Sequence, residues 1–552
     1  MSSVANKDPR LFSANNIIGA IFMRSVEIYD TTLRDGSQGE GISFSMEDKV
    51  KIALKLDRMG FHYIEGGWPG SNPKDMDFFK KIAGESLKNA KVTAFGSTRR
   101  PGIAAGEDAN LNSILESGVQ VAAIVGKTWD FHVTHALKTT LEENLAMIRD
   151  SAAYLKGKGL KVIYDAEHFF DGLKANPEYA LATLAAAVEG GVSTLVLCDT
   201  NGGQLPQDIR DAVAMTVKRF GVPVGIHCHN DVDMAVASTI MAVQAGAAQV
   251  QGTVNGYGER CGNANLCSVI PGLSFKLGLE TIPGENMKRL TELSRYVSEV
   301  ANKNPVASQP FVGSSAFAHK GGIHASAILK SSLTYEHMDP ELLGNRRRIL
   351  VSELSGVSNL LYKCKEMNLD LALQKGENRE LLEKIKEMEN EGYQFEGAEG
   401  SFELLLRKLK TGYREPFRLE NLRIIIEMSE DKPTNSQTVI KMSVGDKVVH
   451  TAAEGNGPVN ALDNALRKAL DEFYPCIRSM HLTDYKVRVL EEKDGTGALV
   501  RVLIESGDGK RTWGTVGVSE NIIEASWQAL VDSIAFGLLK NQDPPREEKE
   551  QV

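Results

Sequence analysis

The chain has 552 residues, of which 42% are hydrophobic and 24% are charged, and its formal net charge is −9. The length predicts two or three domains, and the composition is that of a soluble globular protein. The negative charge argues against general binding to nucleic acid or to anionic membranes. The six cysteines form no C-x-x-C pair, which favours a reducing cytoplasmic location, and no apolar run is long enough to predict a membrane span.

The chain begins with a segment that precedes the first predicted strand. Residues 1–24 contain only a short apolar part, and no convincing cleavage signal follows it. We therefore expect a disordered extension rather than a weak targeting segment. Met23 stands just before the first strand and offers a second plausible start of translation.

Eight short runs of apolar or β-branched residues recur between residues 25 and 263, and amphipathic stretches lie between most of them. Strand–helix alternation through eight units predicts a (β/α)8 (TIM) barrel over residues 25–285. An open, doubly wound sheet is the alternative, because a sequence does not show whether the sheet closes. The predicted strands fall within 26–36, 63–68, 92–98, 121–128, 161–169, 194–203, 223–230 and 249–258.

The first predicted helix has clear boundary signals. Ser45 and Asp48 have the spacing of a capping box, and Gly60 is a natural stop. The third strand is followed by the basic segment "STRR" (97–100). That segment can be a solvated turn or can help to hold an anion, and we favour the solvated turn.

Polar residues collect at the carboxyl ends of the predicted strands, where the active sites of such barrels lie. In "GIHCHND" (225–231), His227 and His229 stand two apart on one strand, so both side chains point to the same side. Asp35 follows the first strand and offers a carboxylate, and Asn263 follows the last strand and offers an amide oxygen. These four residues are a candidate metal site, although an isolated H-x-H is weak evidence. Other polar residues at strand ends are Arg34, Glu65, Glu167, Asp199 and Thr200.

Three motifs carry a resemblance to a known family. "DTTLRDGSQ" (30–38), "GIHCHND" (225–231) and "NGYGERCGN" (255–263) resemble the signatures of the α-isopropylmalate, homocitrate and citramalate synthases. The resemblance covers residues from about 24 to 540. Four further segments look most like the longer branch of the citramalate synthases, namely 64–75, 164–180, 316–327 and 394–405.

The resemblance implies a metal-assisted condensation of acetyl-CoA with an α-keto acid, followed by thioester hydrolysis. Asp35, His227 and His229 would bind a divalent cation, with Asn263 close to it or completing the ligands. Mg²⁺, Mn²⁺, Co²⁺ and Zn²⁺ are all compatible with such a ligand set. The cation would polarise the ketone carbonyl.

The resemblance also implies roles for other side chains. Arg34 would stabilise the developing alkoxide, and Thr200 would bind the substrate carboxylate. Glu167 and His324 are the candidates for the base that deprotonates acetyl-CoA, and Tyr335 is an associated hydroxyl. The residues implied in binding the acyl-CoA near the metal are Gly256, Gly258, Glu259 and Arg260.

The second half of the chain divides into a largely helical linker, 286–415, and a segment with an internal repeat, 416–540, before a tail, 541–552. The repeat predicts two ββ(β)α units that pair to bury their cores; Ala469-Leu470 recurs as Ala529-Leu530. The resemblance implies that the linker brings His324 and Tyr335 to the barrel of the partner in a homodimer. It also implies that the repeated domain binds an end-product amino acid.

The resemblance favours pyruvate as the keto acid and (R)-citramalate as the product, with isoleucine as feedback inhibitor. The Gly-rich turns 452–461 and 515–522 can form the isoleucine site or can be ordinary strand-to-helix turns. Alternatives with the same mechanism use 2-oxoisovalerate or 2-oxoglutarate, and leucine would be the inhibitor in the first case. A lyase or aldolase of the wider barrel group would not need the repeated domain. A metal-dependent hydrolase is disfavoured because barrel amidohydrolases carry H-x-H on the first strand, whereas here it lies on the seventh.

Overall fold

The computed structural model describes residues 25–350, 357–366, 375–408, 413–430, 432–490 and 497–542. It divides into two compact units. The first contains the described chain up to Phe317 together with Asp339–Arg346, and the second contains Ala318–Met338 and the described chain from Arg347 onward. The predicted extension 1–24 and most of the predicted tail 541–552 lie outside the described residues.

The first unit is built on a closed barrel of eight parallel strands in sequence order. Closure is achieved by pairing of the first and last strands, from Glu27 opposite Gln249 to Asp30 opposite Gly252. The predicted barrel is therefore confirmed, and the open sheet is wrong. The strands are β1 Glu27–Asp30, β2 Tyr63–Gly67, β3 Lys91–Ser97, β4 Val121–Lys127, β5 Lys161–Glu167, β6 Thr194–Asp199, β7 Val224–Cys228 and β8 Gln249–Gly252.

Helices follow the strands and cover the barrel. The first begins and ends as predicted: Ser45 and Asp48 form a capping box, and Gly60 has a left-handed φ of 88°. The helices are α1 Met46–Met59, α2 Pro73–Ile82, α3 Ala109–Glu116, α4 Asp130–His132, α5 Leu141–Gly157, α6 Phe169–Ala175, α7 Pro177–Glu189, α8 Pro206–Arg219, α9 Ala235–Gln244, α10 Leu266–Pro271 and α11 Leu290–Val300.

The barrel interior is a packed core below its polar mouth. Side chains of successive strands form one apolar cluster that includes Tyr29, Tyr63, Ile163 and Val196. Since strand residues alternate between faces, these inward residues fill the barrel as in other eight-stranded barrels. Polar side chains at the carboxyl ends of the strands are thereby left to line the mouth.

The second unit begins with short elements and helices. Strands β9 Ala318–His319 and β10 Arg348–Ile349 pair in parallel, and the buried Glu336 accepts hydrogen bonds from His319 and Arg347. The linker is largely helical, as predicted from the pattern. Its helices are α12 Gly322–Ile328, α13 Val357–Glu366, α14 Lys375–Asn390 and α15 Glu399–Lys408.

The chain from Arg418 to Gln542 contains the predicted repeat, in which three antiparallel strands precede one helix, twice. Both Ala-Leu pairs of the repeat, at 469–470 and 529–530, are buried in one shared core. The first module is β11 Arg418–Ser429, β12 Lys432–Val444, β13 Lys447–Gly455 and α16 Pro458–Leu470. The second is β14 His481–Val489, β15 Val500–Gly507, β16 Thr512–Ser519 and α17 Ile522–Gln542.

Helix α17 has one further property. Among the described residues, its segment Ile522–Asn541 meets the length and hydropathy of a membrane span. However, 56% of that stretch is buried inside the structure, and Ala525, Ala529 and Leu530 are part of the core. We therefore describe α17 as the core helix of the second module.

Candidate active site

The predicted metal ligands meet at the mouth of the barrel. His227 lies on β7, His229 follows that strand, and Asp35 follows β1. The three side chains are buried, and each offers a ligand atom within 4.8 Å of the others. The Nε2 atoms of His227 and His229 lie 3.6 and 3.9 Å from Asp35 Oδ2 and 3.4 Å from each other. The structure thus brings two imidazoles and a carboxylate to one point.

The protonation of these groups suits a cation. Burial opposes ionisation of Asp35, but Arg34 and the two histidines outweigh it and hold the pKa of that carboxyl at about 2. Burial lowers the pKa of His227, and burial together with His227 lowers the pKa of His229 to about 4. Neutral imidazoles and an ionised carboxylate are the forms that bind metals.

A residue that the sequence analysis missed orients His227. Gln251 of β8 accepts a hydrogen bond from His227 Nδ1 at 3.0 Å, which leaves Nε2 as the atom facing the cluster. The Gln251 amide donates in turn to Asp165 Oδ1 at 3.1 Å. Burial and the charge of Glu65 raise the pKa of Asp165 to about 8. The chain His227–Gln251–Asp165 therefore supports the cluster from inside the barrel.

Asn263 lies beside the cluster, as predicted. Its Nδ2 donates to Asp35 Oδ1 at 3.1 Å and to the Tyr257 carbonyl at 3.0 Å. Its buried Oδ1 has no hydrogen-bond partner among the described residues. Gly258, with φ 149°, packs so closely that an added Cβ would overlap the Asn263 amide nitrogen. This unpaired amide oxygen, together with the carboxylate and the two imidazoles, therefore fits a divalent cation held by Asp35, His227, His229 and Asn263.

Arg34 stands beside this donor set and is held by two carboxylates. Its Nε donates to Glu65 at 2.6 Å and its Nη1 donates to Asp35 at 3.0 Å, while its guanidinium lies 4.0 Å from the centre of the Phe95 ring. Burial opposes the charge, but the two carboxylates outweigh it and raise the pKa of Arg34 above its usual range. Arg34 is therefore a fixed cation at the barrel mouth.

Glu65, on β2, was noted in the sequence only as a polar residue at a strand end. Its side chain is fully buried and accepts hydrogen bonds from the Tyr29 hydroxyl at 2.6 Å, from the Thr31 hydroxyl and from Arg34. Glu65 therefore positions the guanidinium together with Asp35.

A cavity of about 420 Å³ opens at the barrel mouth above this site. Glu167 lines this cavity and forms an ion pair with Lys127. The sequence did not predict this ion pair. Thr200 also lines the cavity, and its Oγ1 accepts the His168 N–H at 2.8 Å. The cavity-lining residues among the predicted site are Arg34, Asp35, Glu167, Thr200, His227, His229, Glu259 and Arg260.

The Gly-rich motif divides into two parts. Arg260 forms a two-pronged ion pair with Asp231, at 2.7 and 3.1 Å, and donates to the Thr200 carbonyl at 2.7 Å. Glu259 is exposed on the same rim. Gly256 and Gly258 instead pack on Asn263, and neither lines the cavity. The glycines thus shape the Asn263 site, and the two charged residues face the opening.

The predicted solvated turn at "STRR" is wrong for one of its two arginines. Arg99 is 6% exposed and donates to Glu143 at 2.7 Å and to Asp150 at 2.9 Å. Arg100 is exposed at the cavity rim. Arg99 is therefore a structural cation that joins the β3 turn to α5.

Comparison with known proteins extends over almost the whole chain. Residues 25–297 match the HMGL-like family model, 311–393 match the homocitrate synthase post-HMGL domain-like model, and 396–538 match the LeuA allosteric (dimerisation) domain. An (R)-citramalate synthase from Aquifex aeolicus is 56% identical, with 94% of this chain and 98% of the relative aligned. The chain belongs to the (R)-citramalate synthase family. Two more members are 55% identical (Geobacter sulfurreducens; 94% and 99% aligned) and 51% identical (a Synechocystis strain; 93% and 96% aligned).

The last two predicted site residues of this citramalate synthase family member lie in the second unit. The rings of His324 and Tyr335 stack, with centroids 4.0 Å apart and an interplanar angle of 23°. His324 is exposed and Tyr335 is 46% exposed. The structure thus brings the two together as a pair, and their assignment to a partner's barrel stays a prediction.

Proposed function

We propose that the enzyme condenses pyruvate with acetyl-CoA to give (R)-citramalate and CoA. One observation carries this proposal: the buried Asp35–His227–His229 group, with Arg34 beside it, opens into the cavity of a chain that is 56% identical to an (R)-citramalate synthase. Pyruvate is small, and its carboxylate and ketone oxygens can both be held at such a mouth.

The residues that would hold a divalent cation are Asp35, His227, His229 and Asn263. When bound, the cation supplies Lewis acidity that makes the ketone carbon of the keto acid electrophilic. Mg²⁺, Mn²⁺, Co²⁺ and Zn²⁺ are compatible with two imidazole and two oxygen donors. The Gln251 hydrogen bond to His227 orients one of the imidazoles before the cation arrives.

The remaining steps are assigned to side chains at the mouth. The Thr200 hydroxyl binds the pyruvate carboxylate. A base removes a proton from the acetyl methyl group, and the resulting carbanion forms a carbon–carbon bond with the ketone carbon as the carbonyl π-bond electrons move to oxygen. Arg34, a fixed cation, stabilises the negative charge on that oxygen. That oxygen then takes up a proton, which balances the one that the base removed, and becomes the hydroxyl of the product. Water cleaves the thioester, its OH going to the acyl carbon and its hydrogen to the sulfur of the released CoA.

The base is assigned to Glu167 or to His324 of a partner subunit, with Tyr335 as an associated hydroxyl. Glu167 lines the cavity and has its carboxylate oriented by Lys127, which supports the first assignment. The exposed, stacked pair of His324 and Tyr335 supports a contribution from a second chain, because an exposed pair can be covered by another barrel. Glu259 and Arg260 at the rim, with Gly256 and Gly258 behind them, are assigned to the acyl-CoA region.

The C-terminal modules are assigned to dimerisation and to feedback by isoleucine. The match of residues 396–538 to the LeuA allosteric (dimerisation) domain supports both roles. The predicted binding segments are only partly turns: 452–461 spans the end of β13, the connection 456–457 and the first turn of α16, and 515–522 spans the end of β16, the connection 520–521 and the start of α17. Strand-to-helix turns offer free backbone groups for a zwitterion.

The decisive experiment measures CoA release from acetyl-CoA with pyruvate, 2-oxoisovalerate and 2-oxoglutarate at saturating Mn²⁺. We expect the highest kcat/KM with pyruvate and a product that co-elutes with (R)-citramalate on a chiral column. A preference for 2-oxoisovalerate would overturn the substrate assignment, and the absence of CoA release with any keto acid would overturn the reaction.

A further inference from the structure

The turn between β5 and α6 consists of a single residue in a rare conformation. Strand β5 ends at Glu167 and α6 begins at Phe169, so His168 makes the whole turn, with φ 57° and ψ 31°. This left-handed conformation is unfavourable for a residue that carries a Cβ. Such strain persists where the surroundings determine it, and it is concentrated at functional sites.

The side chain of His168 is fixed on two sides. Its Nδ1 lies 3.0 Å from Asp171 Oδ2, and the same carboxylate oxygen accepts from Asn201 Nδ2 at 2.9 Å. The ring packs edge-on against His132, with centroids 4.2 Å apart. Asp171 therefore anchors both the turn after β5 and the loop after β6.

The backbone of His168 makes the contact that matters for the site. Its N–H donates to Thr200 Oγ1 at 2.8 Å. A threonine hydroxyl has one hydrogen to donate, and because this oxygen accepts from His168, the hydrogen is directed elsewhere. Arg260 donates a hydrogen bond to the Thr200 carbonyl, so Thr200 is fixed through both its hydroxyl and its carbonyl oxygen.

We propose that His168 is a positioning residue for the keto-acid carboxylate site. Its left-handed backbone aims its N–H at the Thr200 hydroxyl and thereby leaves that hydroxyl to donate to the substrate carboxylate. Its imidazole anchors the turn that directly follows Glu167. The proposal rests on the function proposed above for Thr200, and His168 itself contacts no reacting atom.

The first test compares His168→Ala with His168→Asn in the metal-loaded, full-length enzyme. Alanine disfavours the left-handed turn, whereas asparagine enters it more readily. For His168→Ala we expect KM for the keto acid to rise about tenfold or more, as for loss of a hydrogen bond to a charged group. His168→Asn should show a smaller rise. In both variants kcat should fall less than KM rises, and Mn²⁺ affinity, measured by titration without substrate, should match the wild type.

The second test is a double-mutant cycle that measures KM for the keto acid. If His168 had only a structural role, its effect on KM would not depend on the residue at position 200. Thr200→Val removes the acceptor, so adding His168→Ala to it should raise KM little further. Thr200→Ser keeps a hydroxyl, and in that background His168→Ala should raise KM as much as in the wild type. Equal increases in all three backgrounds would overturn the proposal, as would an unchanged KM in folded His168→Ala.

If His168→Ala yields too little folded protein, Asp171→Ala takes its place in the same cycle. Asp171→Ala removes the carboxylate that holds the imidazole and leaves His168 itself unchanged. The keto acid is the one that the wild type uses best. A wild type that prefers another keto acid would refute the pyruvate assignment but leave this test intact. A wild type without any condensation activity would refute the proposed reaction and the positioning role together.

Discussion

The barrel mouth and the segment 322–335, which begins with α12, both contribute candidate catalytic residues, but the two regions hold them in different ways. Asp35, His227 and His229 are 3%, 5% and 8% exposed, and they are surrounded by Arg34, Gln251 and other hydrogen-bonding groups. His324 and Tyr335 stack on one another at an exposed surface. Buried hydrogen bonds hold the first group in place before any ligand binds, and we call it the braced group. The second group is held by the stacking of its two exposed rings on one another.

The difference agrees with the roles proposed for the two groups. Ligands of a cation need fixed orientation and the right protonation before the cation binds, and rigid strand ends supply both. Groups proposed to act on a partner's substrate can stay exposed until another surface meets them. Ile323 and Leu333, in the same segment, are each 79% exposed, so a surface that covered them would bury apolar area.

The largest expected effect comes from breaking the braced group. His227→Ala, His229→Ala and Asp35→Ala should each fold, lose Mn²⁺ binding and lose about 10³-fold or more in turnover, because Lewis acidity contributes several kcal/mol. Chelation of the wild type should have the same effect, and added Mn²⁺ or Mg²⁺ should restore activity. His135→Ala, at an exposed histidine outside the site, is the control. Near-normal turnover of any of the three variants in metal-stripped buffer would refute the site.

A smaller effect is expected when the charge beside the metal is kept but its geometry is changed. Arg34→Lys cannot donate to Glu65 and Asp35 from the planar fork that holds the guanidinium. We expect kcat to fall about 10²-fold, as for loss of one oxyanion donor, with Mn²⁺ affinity unchanged. A change confined to KM would assign Arg34 to substrate binding alone.

The exposed pair is tested by mixing two inactive variants. Glu167→Ala and His324→Ala should each be nearly inactive. If His324 serves the partner's barrel, random exchange should restore about a quarter of wild-type activity, since half of the dimers then contain one intact site of two. Self-mixed samples of each variant, taken through the same exchange, are the controls. No recovery after verified exchange would mean that His324 does not act on the partner's barrel.

The sequence predicted the barrel and the cluster because strand ends and three motifs place those residues independently of side-chain detail. It did not predict the residues that brace them. Gln251 and His227 are register partners on β8 and β7, and Lys127 and Glu167 are register partners on β4 and β5. Register between parallel strands depends on how the barrel closes and staggers, which no local pattern reports.

The error at Arg99 has the same origin. Two adjacent arginines after a strand are usually solvated, and only the packing of α5 brings Glu143 and Asp150 to Arg99. In the C-terminal modules the repeat predicted the order of strands and helices, because its two halves share one apolar pattern. That pattern carries no information about ligands, so the isoleucine turns stay a prediction.

The smallest effect is expected in those turns, where removal of the whole domain is a poor test. Phe402 and Leu406 of α15 share one apolar cluster with Val516 and Val518 of β16, so cutting the chain at residue 416 would expose part of the linker. A point substitution is cleaner. Gly457 stands just before α16 in extended backbone, and a Cβ added there meets nothing within 4 Å among the described residues.

Gly457→Val should therefore fold and place a branched side chain in the proposed isoleucine turn. Allosteric coupling is commonly 1–3 kcal/mol, so loss of the site should raise the inhibitory concentration of isoleucine about tenfold or more. Activity without isoleucine should stay at the wild-type level. Gly497→Val, where an added Cβ likewise meets nothing within 4 Å among the described residues but which lies outside both turns, is the matched control. If Gly457→Val and the wild type are inhibited equally by isoleucine, this turn does not form the site, and inhibition by leucine instead would redirect the substrate assignment to 2-oxoisovalerate.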